Sequence, residues 1–119
     1  MQISRSRLLK QHRSLRRKKP KTWCIVYILR EAPGMPARYV GQTRLDPAER
    51  LRWHLKDVRR RQEAGLRLSP VKAWIASLPS SPLVEVLDRN GIWDVSEAVW
   101  IDRLRSRGEP LLNVQSIVA

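Results

Sequence analysis

Trp23-Cys24-Ile25-Val26-Tyr27-Ile28-Leu29 is the stretch on which the fold turns. Its β-branched and aromatic residues predict a strand. Glu31 to Ala37 follows, with Pro33-Gly34 as a turn signal, and Arg38-Tyr39-Val40-Gly41-Gln42 reads as a second strand. The two make a hairpin whose loop is too long for a two-residue primed turn. Working outward, Asp46-Pro47 opens a helix: Asp46 at the N-cap, Pro47 first in the helix, Glu49 at N3. Its apolar stripe is Leu51, Leu55, Val58 and Gln62, beside a second stripe of Arg50, His54, Asp57 and Arg61, and it ends near Gly65.

Ser69-Pro70 starts another helix, with Val71, Trp74, Ile75 and Leu78 inward and Pro79 as the stop. Leu83 to Leu87 reads as a third strand and Asn90-Gly91 as a turn. Asp94 caps a last helix running to about Arg107, with Val95, Ala98, Val99, Ile101 and Leu104 facing the core. Leu111-Leu112-Asn113-Val114 packs back on the body. The order ββααβα predicts an α+β domain, a small three-stranded antiparallel sheet flanked by helices.

The 119 residues allow one domain with a modest core. Their charge is lopsided: 24 Lys+Arg against 11 Asp+Glu gives +13 and a pI near 11.4. That excludes an acidic solvating protein and points to a polyanion. Residues 1–22 carry nine of the basic side chains and no acid, Arg16-Arg17-Lys18-Lys19 among them. They read as a flexible basic arm for nucleic acid ahead of a folded body, 23–119. Cys24 is the sole cysteine, so no internal disulfide forms. A small buried hydrophobe in a reducing, intracellular setting is the expectation: cytoplasmic, near the nucleoid in a bacterium or nuclear in a eukaryote. The longest apolar run, Trp23 to Leu29, is far short of the ~20 residues that span a bilayer, so no membrane partner is expected.

The chain has two tyrosines, Tyr27 and Tyr39, one on each strand of the predicted hairpin. The block Ile25-Val26-Tyr27, then Tyr39-Val40-Gly41-Gln42-Thr43, then Arg50 and His54 four apart on one helix, resembles the GIY-YIG nuclease family. Glu97 and Asn113 complete that pattern, which covers residues 23 to about 114; Ile25 stands where the family has glycine. The resemblance implies a stand-alone endonuclease that hydrolyses DNA phosphodiester bonds with a water nucleophile, leaving a 5′-phosphate and a 3′-hydroxyl. It makes Tyr27 the general base or part of its relay, with a phenol pKa that nearby cations must lower. Arg50 would bind the non-bridging oxygens, His54 would bond Tyr27 or relay its proton, and Tyr39 would orient water or a phosphate oxygen. Glu97 would hold one Mg²⁺ (or Mn²⁺) per active site, and Asn113 would position Glu97 or the metal-bound water.

Each residue has a blander reading. The tyrosines suit ordinary sheet aromatics, Arg50 and His54 a helix surface, Glu97 a capping box with Asp94, and Asn113 a turn. It is their joint order and spacing that favours a site. Arg38, Arg44, Arg52, Lys56, Arg59, Arg60, Arg61 and Arg67 extend a positive track for a DNA backbone, without sequence readout. Of the five tryptophans, Trp74 and Trp100 read as core by helical spacing, and Trp53 as core in preference to a base-stacking platform. Two other classes remain open: a non-catalytic DNA- or RNA-binding module on the same fold, and a small RNA-associated protein. Double-strand cleavage would need a homodimer or re-orientation, and site choice a specificity-providing partner protein.

Overall fold

The computed structural model describes residues 20–114. The chain forms β1 (Trp23–Arg30), β2 (Ala37–Thr43), α1 (Pro47–Glu63), α2 (Pro70–Ser77), β3 (Leu83–Ile92) and α3 (Val95–Ser106). The sheet is antiparallel throughout, in the order β2-β1-β3. It is an α+β fold in the predicted ββααβα order.

The central strand explains the unbroken apolar run. Alternate side chains of β1 enter two different cores. Cys24, Val26 and Ile28 pack with Ala37, Val40, Ile101 and Leu104. Tyr27 and Leu29 pack with Leu51, Val58, Val71 and Ile75. So α3 covers one face of the sheet, and α1 with α2 covers the other. A strand buried on both faces needs apolar side chains at every position. Cys24 is fully buried and is a free thiol. Leu111 closes over one core and Leu112 over the other, and Leu112 N–H donates to the Arg38 carbonyl at 2.6 Å.

The helix starts obey local chemistry. Asp46 Oδ1 accepts from Ala48 N–H at 2.9 Å, with Pro47 first in α1. Ser69 Oγ accepts from Lys72 N–H at the start of α2. Gln62 departs from the expected stripe and is exposed at the last turn of α1.

Three expectations are corrected. Asn90-Gly91 is not a turn: β3 runs through both residues to Ile92. Gly91 lies opposite Cys24, where a Cβ would come within 3.0 Å of Val26 and 3.1 Å of the Cys24 sulfur. Glycine is there to admit the neighbouring strand. On α3, Val95, Ala98 and Val99 face outward, and only Ile101 and Leu104 are buried, with Trp100 partly covered. Finally, Asp94 occupies the N-cap position of α3 without capping it. Its backbone is left-handed (φ 64°) and its side chain makes no cap bond. Gln42 holds it instead: Gln42 Nε2 donates to Asp94 Oδ1 at 2.6 Å, and Asp94 N–H donates to Gln42 Oε1 at 2.7 Å.

Candidate active site

The site grows from β1 and β2. Tyr27 and Gly41 are direct partners across the hairpin. The Tyr27 ring lies on Gly41, where an added Cβ would sit 2.3 Å from the ring carbon bearing the hydroxyl. Glycine at 41 is thus what lets the phenol pack against the neighbouring strand. Tyr39, two residues before Gly41, points to the same face, its ring 6.3 Å from that of Tyr27.

The second stripe of α1 delivers His54. Its Nε2 lies 3.3 Å from the Tyr27 hydroxyl, and its ring meets Tyr39 edge-on at 5.8 Å. Arg50, one turn earlier, is exposed and makes no ion pair among the described residues. It is close enough to act electrostatically on Tyr27, Tyr39 and His54. Glu97, from the first turn of α3, acts on both tyrosines. Tyr27, Tyr39 and His54 are thus in direct contact, and Arg50 and Glu97 lie near enough to act on the tyrosines through charge.

Burial sets the protonation states. Tyr27 is fully buried, and burial, aided by Tyr39 and Glu97, holds its phenol well above the ordinary range despite Arg50. The expected lowering of the Tyr27 pKa is thus reversed: Arg50 lowers it, as expected, but desolvation outweighs that one cation. Burial also raises Tyr39. His54 is pushed down to about 4, first by burial and then by the Arg50 and Lys72 cations, so its imidazole is neutral at pH 7. Its opposing neighbour, Asp57, accepts from Arg60 at 2.7 Å, from Arg61 at 3.0 Å and from Lys72. Those three donors hold the Asp57 carboxyl far below its usual range. Lys72 was not among the expected site residues; it sits on α2, and only the packing of α2 against α1 brings it near.

Glu97 is half-buried, and burial together with Asp94 raises its pKa. The capping-box alternative fails, because the Asp94 N–H that Glu97 would accept from is bonded to Gln42. Its carboxylate has no hydrogen bond or ion pair among the described residues. A lone half-buried carboxylate suits a single hard cation that keeps most of its water ligands. It does not suit an all-protein cage, and no group of three or more metal-ligating side chains occurs among the described residues.

Asn113 takes a different place from the one expected. Its Oδ1 accepts from Val40 N–H at 2.9 Å and its Nδ2 donates to the Val40 carbonyl at 2.7 Å. The carboxamide acts as a short extra strand on the open edge of β2 and holds Tyr39 and Gly41 on either side of Val40. It acts on the site through β2.

The basic track is mixed. Arg44, Arg52, Lys56, Arg59 and Arg60 are exposed. Arg38 turns inward, donating to the Pro110 carbonyl at 2.9 Å and lying over Trp74. Arg44 lies over Trp93, 5.1 Å from the ring centre. Arg16, Arg17, Lys18 and Lys19 fall outside the described residues. Trp74 and Trp100 pack against the cores as expected, but Trp53 does not: it is 60% exposed. Among the described residues no helix is long and apolar enough to cross a membrane. No family model, curated protein or solved structure matches the chain.

Proposed function

We propose that the chain is a divalent-metal-dependent endonuclease of the GIY-YIG type, hydrolysing DNA phosphodiester bonds with a water nucleophile inside the cell. The observation that carries this is the direct contact of Tyr27, Tyr39 and His54 beside Gly41, with Arg50 and Glu97 near enough to act on the two tyrosines through charge. Ordinary sheet aromatics need no buried imidazole bonded to a phenol, and no half-buried carboxylate left without a partner.

The protonation states define the division of labour. Burial keeps the Tyr27 phenol protonated and the His54 imidazole neutral, so neither stores charge. Their hydrogen bond, 3.3 Å between the Tyr27 hydroxyl and His54 Nε2, fixes the wall of the site beside the attacking water, whose proton leaves to bulk solvent. Arg50 meets the non-bridging oxygens with its planar fork. Tyr39 orients the water. Glu97 would hold one Mg²⁺, and such an ion would supply positive charge to the leaving oxygen. The exposed cations of α1 bind the flanking phosphates, which gives affinity without sequence choice.

The test is nicking of supercoiled DNA by wild type beside Glu97→Ala and Arg50→Ala, with Mg²⁺ or with EDTA. We expect metal-dependent nicking that falls at least ~100-fold in each variant. DNA binding with no cutting under any condition would overturn the nuclease and leave a binding module on the same fold.

A further inference from the structure

Beside the reaction centre, α1 and α2 frame a cleft of about 340 Å³ lined by Arg50, Trp53, His54, Asp57, Arg61 and Lys72. Arg50 and His54 belong to both, so the cleft opens directly onto the candidate active site. Its charge is positive: Asp57 answers Arg61 and Lys72, and Arg50 has no acidic partner among the described residues. Its rim carries an aromatic surface. Trp53 is 60% exposed on a helix whose apolar stripe is elsewhere, so packing does not account for its indole. Lys56 Nζ lies 5.8 Å from the centre of the same ring. An open indole among cations, in a cleft of small-ligand size, is the chemistry that takes a nucleobase by its face and the adjoining phosphates by charge.

We propose that this cleft seats one unpaired nucleotide next to the scissile phosphate, its base stacked on Trp53 and its phosphates against Arg50 and Lys56. A base within a duplex has both faces covered by its neighbours, so a stacking platform selects strands with an unpaired base at that point. The substrate class is then single-stranded or flapped DNA in preference to continuous duplex. The position beside the cut rests on the nuclease reading; the binding preference does not.

The experiment is fluorescence anisotropy in EDTA, where nothing is cut. The probes are a labelled single-stranded oligonucleotide, a blunt-ended two-strand duplex of the same sequence, and a strand of abasic sugar-phosphates. The proteins are wild type, Trp53→Ala and Trp53→Phe. The expected result is a roughly tenfold loss of single-strand affinity in Trp53→Ala, with Trp53→Phe retaining most of it. The blunt-ended duplex and the abasic strand should not distinguish the three proteins. Equal losses on all three probes, no loss on the single strand, or no single-strand binding by wild type would each overturn the proposal. Because the substituted residue is exposed, an unchanged melting temperature shows that the fold is intact. Failure of the nicking test with a tenfold single-strand effect removes the nuclease and keeps the subsite. Metal-dependent nicking without that effect does the reverse.

Discussion

Gly41 and Tyr27 are a matched pair, and each is explained only by the other. A methyl group at 41 would lie 2.4 Å from the Tyr27 hydroxyl oxygen, in a region with no room for the ring to withdraw. Gly41→Ala should therefore cost ~1–3 kcal/mol or more, as overpacking does, and lower the melting temperature by several degrees. Nicking should be lost with it; an unchanged melting curve would refute this account of the contact. His54 carries a second prediction. Its folded pKa of about 4 lies below the ordinary 6.5. Between those values the unfolded chain binds a proton that the folded chain refuses, so stability falls as pH drops through that window, by up to ~3 kcal/mol. Asp57, with its depressed pKa, adds its own loss only below the usual carboxylate range, and raised Glu97 works in the opposite sense. His54→Gln should flatten the melting temperature against pH between 6.5 and 4; a profile parallel to wild type would count against a neutral buried His54.

At the scale of elements, the starts of α1 and α2 were legible because Asp46-Pro47 and Ser69-Pro70 carry local hydrogen-bond chemistry. The start of α3 was not. Asp94-Val95-Ser96-Glu97 has the letters of a capping box, but Gln42 on β2 takes over both the Asp94 side chain and its N–H. A contact 52 residues distant in sequence outweighs a local motif, and it leaves Glu97 free for the site. The extent of β3 was hidden for a related reason: Asn90-Gly91 has turn chemistry, yet Gly91 serves close strand approach. Asn113 gives the testable case. Its carboxamide satisfies both polar groups of Val40 on the open edge of β2, so Asn113→Ala should cost ~1–3 kcal/mol in urea unfolding. Asn113→Asp keeps an acceptor and loses the donor to the Val40 carbonyl, and should fall between. If neither variant shifts the urea midpoint, the edge contact contributes nothing to stability.

Over the whole molecule, charge divides unevenly along the chain. Residues 1–19 hold eight of the 24 basic side chains, and the remainder keeps 16 against 11 acids. Each phosphate contact contributes about −0.9 to the slope of log affinity against log salt. Removing residues 1–19 should make that slope shallower by several such steps and weaken DNA binding at low salt, while the nicking rate at saturating DNA stays near wild type. A salt slope equal to that of the full chain would exclude the arm from binding.

The ββααβα order, the antiparallel hairpin and the shared face of Arg50 and His54 were determined by the sequence alone. They rest on periodicity and on caps, which act within a few residues. Only the tertiary structure decided that β1 is covered on both faces, that Val95 and Val99 face outward, that Lys72 reaches Asp57, and that Trp53 stands open beside the site. It also reversed the expected Tyr27 pKa. Burial and long-range packing are properties of the assembled layers, and no local pattern encodes the desolvation that outweighs Arg50 at a buried phenol.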